Sequence, residues 1–354
     1  MSLQRGLGFP VRSRYLSKLG REPSGASRTS KPKRGVTYMN NEHTKILGAE
    51  EHDLEQAAAF LRAGKLVAFP TETVYGLGGD ARQGQAVAAI FEAKGRPTFN
   101  PLIAHLPSVE TAQRYVQWTD QAQQLADAFW PGPLTLVLPL RDGHGISPLV
   151  TAGLHTLAIR VPAHPTARRL LALVDGPVAA PSANPSGRIS PTTAAHVQAG
   201  LNGRLAAIVD DGACDVGLES TIIGLAGPRP MLLRPGGLAA EDIKAVLGHP
   251  LQQRDTQDPL TAPGQLLSHY APNQRVRLNA SQAKPGELML GFGAMPCDLN
   301  LSADGDLSEA AANLFGHFHR LDALNKPIAV APIPMHGLGQ AINDRLQRAA
   351  APRD

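Results

Sequence analysis

Short apolar runs alternate with amphipathic helical patterns from about residue 46 to residue 248. This alternation constrains the fold most strongly, because a short apolar run is typical of a buried strand and a period near 3.6 residues is typical of a helix. Many connections are rich in Pro and Gly, and some strands follow one another with no helix between them. We therefore predict an α/β domain with a twisted, mixed sheet flanked by helices, not a doubly wound parallel sheet.

The predicted elements of this domain, residues 45–248, can be assigned one by one. The strands are Leu66–Phe69, Leu102–His105, Leu134–Leu138, Leu157–Val161, Val178–Ala180, Ala207–Val209, Thr221–Leu225 and Met231–Leu233. The helices span residues 53–63, 84–94, 120–129, 165–174, 191–200 and 240–247.

The composition changes at residues 249–284, where Gln, Asp, Pro and Asn predominate, and we predict a linker there. A strand–helix–strand–helix pattern then predicts a small Rossmann-like α/β domain at residues 285–354. Its predicted elements are Glu287–Leu290, residues 307–324, Ile328–Ala331 and residues 338–350. About 70 residues are few for an independent core, so we expect this domain to dock on the first.

The charge is divided unevenly along the chain. Residues 1–38 hold nine Lys or Arg and one acidic residue, so their net charge is +8 and that of the other residues is −4. The sequence pI of about 9.2 therefore reflects the first segment and is no argument for nucleic-acid binding by the folded part. We predict a disordered basic extension at residues 1–38. This extension resembles an organellar transit peptide. The alternative is that translation starts at Met39, downstream of the extension.

The composition also excludes some classes of protein. No run of eighteen apolar residues is present, so we expect no transmembrane helix and no membrane partner. The two cysteines, Cys214 and Cys297, form no CxxC pair and no disulfide framework, which favours a reducing compartment. We expect a cytoplasmic protein, or a mitochondrial one if the basic extension is a targeting segment.

A polar cluster follows the strand that ends at Phe69. The stretch Pro70-Thr-Glu-Thr-Val-Tyr-Gly76 carries two hydroxyls, a carboxylate and a phenol on a turn stiffened by Pro. About twenty residues later a helix ends at Lys94-Gly-Arg96-Pro97, where the helix dipole favours positive charge. Arg can grip phosphate oxygens in a bidentate manner, and Lys supplies a point charge. These cations are either helix-terminating residues or an anion clamp, and the adjoining Asn100-Pro-Leu-Ile-Ala-His105 favours the clamp.

A second polar turn, Pro181-Ser-Ala-Asn-Pro-Ser-Gly187, follows the small strand that ends near Ala180. Ligands often bind at such strand ends in α/β folds. Ser190-Pro-Thr192 then opens a helix, whose free N–H groups suit an anion. An ordinary Pro-rich turn with a helix cap is the alternative interpretation.

Other motifs are absent or ambiguous. Neither a P-loop nor a dinucleotide fingerprint occurs, so a nucleotide needs another kind of site. Arg160 stands in an otherwise apolar strand and needs either an anionic ligand or a carboxylate partner. His317 and His319 are two apart on a helix and diverge, so we predict no metal site from them.

Taken as a set, these motifs resemble the threonylcarbamoyl-AMP synthase family, in its long form with a YrdC-like catalytic domain and a C-terminal domain. The resemblance covers roughly residues 45–352 in order. It rests on Pro70–Gly76, Lys94-x-Arg96-Pro97, Asn100-Pro-Leu102, Ser182-x-Asn184, Ser190-Pro-Thr192, Gly217-Leu-Glu-Ser-Thr221, Leu233-Arg-Pro-Gly236, Ser268-His-Tyr-Ala-Pro272, Gly337-Leu-Gly339 and Ile342-Asn-Asp-Arg345.

This resemblance implies a function and a set of site residues. It implies synthesis of L-threonylcarbamoyl-AMP from L-threonine, bicarbonate and ATP with release of pyrophosphate, and Mg²⁺ on the phosphates. A threonylcarbamoyl transferase would then modify the adenosine beside the tRNA anticodon. The implied threonine contacts are Thr73, His105, Arg160, Ala180 and Ser220. The implied ATP contacts are Arg96, Asn100, Thr156, Ser182, Ser190, Arg234 and Tyr270, and the implied catalytic residues are Lys94, Arg96, Ser182 and Asn184.

The family's chemistry needs alignment of two anions and neutralisation of a charged transition state more than a covalent nucleophile. Tyr270 lies in the predicted linker, so we expect residues 249–284 to close over the ATP site as a lid. Two alternatives stay open: a related enzyme that forms or hydrolyses a carbamoyl-adenylate without threonine, and a non-catalytic RNA-binding or ribosome-associated module. Contact of the chain with tRNA or double-stranded RNA is a separate open question. The net negative charge of the folded part argues against the RNA-binding module.

Overall fold

The computed structural model describes residues 43–253 and 269–352. These residues belong to one compact structural unit, Asn41–Asp354. The basic extension predicted at residues 1–38 lies outside the described residues, as do residues 254–268 of the predicted linker. None of the helices in the described part is both long enough and apolar enough to span a membrane.

Eleven strands in the described residues form one mixed sheet. Six helices and two helical turns connect these strands along the chain. The strands are β1 Lys45–Leu47, β2 Val67–Phe69, β3 Gly76–Asp80, β4 Ile103–His105, β5 Leu134–Pro139, β6 Thr156–Arg160, β7 Val178–Ala179, β8 Ala207–Val209, β9 Thr221–Gly224, β10 Met231–Arg234 and β11 Gln252–Gln253. The helices are α1 Glu51–Arg62, α2 Gly84–Lys94, α3 Val109–Ala112, α4 Asp120–Phe129, α5 Pro148–Thr151, α6 Pro165–Val174, α7 Ala194–Leu201 and α8 Ala240–Leu247.

The sheet order is β1-β8-β2-β3-β7-β4-β6-β5-β9-β10-β11. The sheet contains parallel pairs, such as β4 with β6, and antiparallel pairs, such as β5 with β6. The predicted mixed α/β sheet is therefore confirmed. The eight strands predicted in this domain are present, with ends that differ by no more than one residue.

Three strands of this sheet and the start of one helix differ from the prediction. β1, β3 and β11 were not predicted, and β11 lies in the segment predicted to be a linker. β3 was missed because Gly76-Leu-Gly-Gly-Asp80 has little strand propensity. The glycines are required by packing, since a Cβ on Gly78 would lie 2.8 Å from the Phe69 ring. Helix α7 begins three residues later than predicted, after Thr193, whose side chain caps it by accepting a hydrogen bond from His196 N.

The second sheet contains four parallel strands in the order β12-β15-β13-β14. Its elements are β12 Val276–Arg277, β13 Leu288–Gly291, β14 Leu299–Asn300, α9 Leu307–Asp322, β15 Ile328–Val330 and α10 Gly339–Ala350. Because β12 pairs with β15, this sheet begins inside the segment predicted to be a linker, at Val276.

The small C-terminal core is shared with the larger domain. Phe315 and Phe318 of α9 pack in one buried cluster with Val74, Ile189 and Leu218 of the first domain. This arrangement agrees with the expectation that so short a unit docks on its neighbour, because it gains apolar burial that it could not provide alone.

Candidate active site

The turn after β2 is held by one hydroxyl group. Thr71 Oγ1 accepts hydrogen bonds from the backbone N–H groups of Thr73 and Val74, both at 3.2 Å, and donates to Val74 O at 2.7 Å. Thr73 Oγ1 lies 2.8 Å from Thr71 Oγ1. This local network fixes the Thr73 side chain in one orientation, with both hydroxyls lining a cavity above the sheet.

Arg160 at the end of β6 is buried and contacts three groups. Its Nη2 forms an ion pair with Glu72 Oε1 at 2.7 Å, and its Nη1 donates to Thr73 Oγ1 at 2.8 Å. Its Nε donates to Gly132 O at 3.3 Å. The carboxylate partner expected as one of two alternatives is therefore present, and it is Glu72. Arg160 also lines the cavity, so a ligand anion can reach the same guanidinium.

His105 lies beside Arg160, because β4 and β6 are parallel and these two residues are in register. Burial, reinforced by the charge of Arg160, lowers the pKa of His105 from 6.5 to about 3. The imidazole is therefore neutral at physiological pH and can accept a hydrogen bond from a ligand through one ring nitrogen.

Ser220, just before β9, is fixed from two sides. Its Oγ lies 2.7 Å from Thr135 Oγ1 of β5, and Arg234 Nη2 donates to it at 3.3 Å. Arg234 Nη2 also donates to Ser220 O at 2.7 Å. Burial lowers the pKa of Arg234, but a guanidinium stays charged at neutral pH.

The two cations of the predicted clamp have different surroundings. Arg96 lines the cavity and donates to the carbonyl oxygens of Asn100, at 3.3 Å, and Pro101, at 3.0 Å. The Lys94 ammonium donates to the carbonyl oxygens of Ser182 and Asn184, and the side chain is not among those that line the cavity. Burial, with a contribution from Arg96, holds the pKa of Lys94 well below its usual value. Lys94 therefore shapes the Ser182 turn.

The polar turn after β7 presents Ser182 to the cavity, while Asn184 turns away from it. Asn184 Nδ2 donates to the carbonyl oxygens of Pro185 and Arg188, at 2.9 and 2.8 Å, so this side chain stabilises its own loop. Ser190 is fully buried, and its hydroxyl donates to Glu219 Oε1.

Glu219 is the point where the C-terminal domain meets the cavity. Arg345 of α10 donates from Nε to Glu219 Oε2 at 2.8 Å and from Nη1 to Pro235 O at 3.0 Å. Its guanidinium also lies over the ring of Tyr270, 5.0 Å from the centroid. Burial alone would raise the pKa of Glu219, but Arg345, Arg234 and the Ser190 hydroxyl outweigh it, so the pKa is lowered.

These side chains surround one cavity that holds about 560 Å³ of space, part of it open to solvent. The five residues of the expected threonine set line it, and so do four residues of the expected ATP set. The lining residues from these sets are Thr73, His105, Arg160, Ala180 and Ser220, and Arg96, Ser182, Arg234 and Tyr270. Asn100 and Ser190 are buried immediately behind the wall, through the contacts with Arg96 and Glu219 described above.

Thr156 is the expected ATP contact that the cavity does not include. It begins β6, four residues before Arg160, so the two residues are about 13 Å apart along the strand. Because side chains alternate along a strand, Thr156 shares a sheet face with Ala158 and Arg160.

Two residues that line the cavity, Glu219 and His269, were not assigned a role from the sequence. Both stand within motifs on which the family resemblance rests, next to the expected contacts Ser220 and Tyr270. Burial and four nearby cations, Arg96 first among them, hold the pKa of His269 well below its usual value. The carboxylate of Glu219 between Leu218 and Ser220 was the one local signal, since a charged residue in a buried segment needs a partner.

No group of three or more His, Cys, Asp or Glu side chains that could hold a metal occurs in the residues that the structure describes. His317 and His319 diverge as predicted: the first contacts Asn300 O and the second contacts Ser190 O. His319 also stacks on His196, with ring centroids 3.8 Å apart, which joins α9 to α7.

Both parts of the chain match known sequence families. Residues 59–236 match the family Sua5_yciO_yrdC, described as "Telomere recombination". Residues 238–351 match the family Sua5_C, described as "Threonylcarbamoyl-AMP synthase, C-terminal domain".

Known proteins are similar to this chain over most of its length. The threonylcarbamoyl-AMP synthase of Pyrococcus abyssi is 41% identical over 327 residues, which cover 86% of this chain and 96% of that protein. The one from Bacillus subtilis is 39% identical over 335 residues, covering 88% and 96%. A crystal structure of P. abyssi Sua5 complexed with L-threonine matches with a TM-score of 0.81 at 39% identity, covering 87% of this chain and 98% of that one. This chain belongs to the threonylcarbamoyl-AMP synthase family and is an enzyme of that kind.

Proposed function

We propose that this enzyme forms L-threonylcarbamoyl-AMP from L-threonine, bicarbonate and ATP, with release of pyrophosphate, in the cavity above β4, β6 and β9. The observation that carries the proposal is the convergence of the two expected residue sets on a single cavity. A site for two substrates that react with each other must bring them together in this way.

Threonine would bind at the Arg160 end of the cavity. The guanidinium is held by Glu72, Thr73 and Gly132, so its orientation is preorganised toward a carboxylate. Neutral His105 beside it can accept a hydrogen bond from the substrate without adding charge. The L-threonine complex of the P. abyssi relative supports this choice of substrate.

ATP would place its phosphates near Arg96 and Arg234, the two other guanidinium groups that line the cavity. Ser182 and Tyr270 would complete this subsite. Thr156 can belong to it only if the rest of the nucleotide extends along the face of β6, because that residue is about 13 Å from Arg160.

Mg²⁺ would enter with ATP. Glu219 is the one carboxylate among the described lining residues, and it is occupied by Arg345 and Ser190. The donor set therefore fits a metal that is held by phosphate oxygens and water and that lacks direct carboxylate ligands from the protein. The ion would supply charge neutralisation on the phosphates.

The residues of the cavity suit a reaction without a covalent enzyme intermediate. Threonine's amine takes up CO₂, derived from bicarbonate, to give a carbamate, and a carbamate oxygen attacks the α-phosphorus while pyrophosphate leaves. Arg96 and Arg234 would neutralise charge that develops on the transferring group. Lys94 would act indirectly, by fixing the Ser182 turn through two backbone carbonyl oxygens.

The linker would close this site as a lid. Tyr270, with a positive φ of 61°, is buried between the cavity and α9, where its ring lies 5.6 Å from that of Phe315. Tyr270, held in this way, would help to exclude water from the phosphates. The product would then pass to a threonylcarbamoyl transferase that acts on tRNA in the cytoplasm, and contact of this enzyme with tRNA is part of the same proposal.

The test is pyrophosphate release from ATP and Mg²⁺, with L-threonine and bicarbonate omitted in turn. The proposal predicts release only when both are present. ATP turnover that is indifferent to threonine would contradict it and would favour a carbamoyl-adenylate enzyme. Absence of turnover, together with salt-dependent RNA binding that survives replacement of Lys94 and Arg96 by Ala, would favour the RNA-binding module.

A further inference from the structure

A buried threonine behind the cavity has a single hydrogen-bond partner. Thr135 lies on β5, is fully buried, and does not line the cavity. Within the described residues its hydroxyl makes one hydrogen bond, to Ser220 Oγ at 2.7 Å. Ser220 does line the cavity, so this contact joins a side chain behind the wall to one that faces the ligand.

The strand framework holds the two hydroxyls at this distance. β5 and β9 are parallel neighbours in which Leu134 pairs with Thr221, and Thr221 N donates to Pro133 O at 2.9 Å. Thr135 lies in this ladder and Ser220 directly precedes it, so the backbone fixes the positions from which the two short side chains meet.

The available protons decide the direction of this hydrogen bond. Arg234 can only donate, and its Nη2 already approaches Ser220 Oγ at 3.3 Å. The Thr135 proton has no described acceptor other than Ser220 Oγ. If Ser220 donated to Thr135 instead, the Thr135 proton would be buried without an acceptor, which is unfavourable. The satisfied arrangement has Thr135 donating to Ser220 Oγ.

This arrangement determines what Ser220 presents to a ligand. Its oxygen accepts from Thr135 and Arg234, so the proton of Ser220 is left to point into the cavity. We propose that Thr135 is a positioning residue that makes Ser220 a hydrogen-bond donor to a substrate oxygen. This inference rests on the proposed function, in which that oxygen belongs to threonine or to the carbamate formed from it.

The experiment compares four variants of the full chain: Thr135→Val, which keeps the shape and removes the hydroxyl; Thr135→Ser, which keeps the hydroxyl; Ser220→Ala; and the double variant Thr135→Val with Ser220→Ala. Steady-state pyrophosphate release gives KM for threonine and for ATP, and thermal unfolding reports the fold. Thr135→Val is expected to raise KM for threonine about three- to tenfold, the size of one hydrogen bond, and to leave KM for ATP unchanged. Thr135→Ser is expected to keep the KM of the parent.

The double variant separates positioning from a structural effect. If Thr135 acts through Ser220, adding Thr135→Val to Ser220→Ala raises KM no further. A full additional effect in the double variant, or an unchanged KM in a folded Thr135→Val variant, would overturn the inference. Should the Val variant unfold, Thr135→Ala replaces it in the same comparison. If pyrophosphate release by the parent chain does not depend on threonine, the proposed function itself is wrong. A parent that does depend on threonine, with no effect of Thr135→Val, would overturn only the inference about Thr135.

Discussion

Arg345 of the C-terminal domain donates to Glu219, which lines the cavity, at 2.8 Å, although 126 residues separate them in the chain. The Arg345 side chain is completely inaccessible to solvent. Glu219 in turn accepts the Ser190 hydroxyl, and Tyr270 lies beneath the Arg345 guanidinium. The small domain thus supports the cavity wall from behind, because Arg345 balances the charge of Glu219, which lines the cavity.

Replacing Arg345 should therefore damage both the fold and the reaction. Arg345→Ala leaves Glu219 buried without its main partner, which typically costs about 3–5 kcal/mol in the free energy of unfolding. Urea unfolding and threonine-dependent pyrophosphate release measure the two effects. The matched control is Arg277→Ala, since Arg277 belongs to the same domain but pairs with Glu287 at the surface. Equal losses of stability in the two variants would contradict a special role for the buried pair.

Gly217 should be a sensitive point of the interface between the domains. A Cβ on Gly217 would lie 2.6 Å from the backbone of Ala311 and Ala312 in α9, and its φ is 69°. Gly212 is the control, because its φ is 79° and a Cβ there would meet nothing within 4 Å. Both Ala variants bear the strain of a left-handed conformation, so their difference isolates the contact with α9. We expect Gly217→Ala to be less stable than Gly212→Ala by about 1–3 kcal/mol, as measured by urea unfolding.

Indistinguishable unfolding curves for these two variants would show that α9 does not pack on the loop at Gly217 in solution. A larger loss for Gly212→Ala would contradict the interface in the same way.

Arg96 should contribute to the transition state more than to the fold. If it acts like one preorganised donor, Arg96→Ala lowers kcat about 10²- to 10³-fold, or about 3 kcal/mol in transition-state stabilisation. Arg229→Ala is the control, since that exposed arginine precedes β10 at the end away from Arg234. Single-turnover rates at saturating ATP give the comparison. A change confined to KM for ATP would show that Arg96 binds ground and transition states equally.

His105 should make stability depend on pH. Its pKa is about 3 in the folded chain against 6.5 for an unperturbed histidine. Between these values the unfolded chain binds a proton that the folded chain does not, so the contribution of His105 is complete above about pH 6.5 and is lost as pH falls toward 3. At pH 5 the loss amounts to about 2 kcal/mol relative to pH 7. Urea unfolding of the parent and of His105→Gln at both pH values measures it, and a parallel loss in the two proteins would contradict the assignment.

The sheet could be predicted from local patterns wherever strands were apolar. The run ending at Phe69 was found for that reason, whereas β3 was missed because its residues, Gly76–Asp80, are mostly glycine. Gly78 fits the space left by the Phe69 ring, and Gly79 packs against Ile90 and Leu66, which are tertiary requirements with no local signature. In the C-terminal sheet the two apolar central strands, β13 and β15, were likewise predicted. The two-residue strands at its edges, β12 and β14, were not.

The site residues could be predicted in kind, but not their pairing. A strand-embedded Arg160 indicated an anion or a carboxylate partner, and only the fold identifies Glu72, 88 residues away, as that partner. The pairing of Arg345 with Glu219 is similarly remote. The orientation of Lys94 could not be predicted from the sequence either. As a cation beside an expected phosphate site it was expected to face the ligand, but its ammonium donates to backbone carbonyl oxygens.

The most direct test of the account follows the carbon atom of bicarbonate. The full chain is incubated with ATP, Mg²⁺, L-threonine and ¹³C-bicarbonate, and the products are separated and identified by mass spectrometry. The proposed reaction gives one adenylate that contains both threonine and the labelled carbon, formed in step with pyrophosphate. A labelled adenylate without threonine, or pyrophosphate release with no label incorporated, would contradict it.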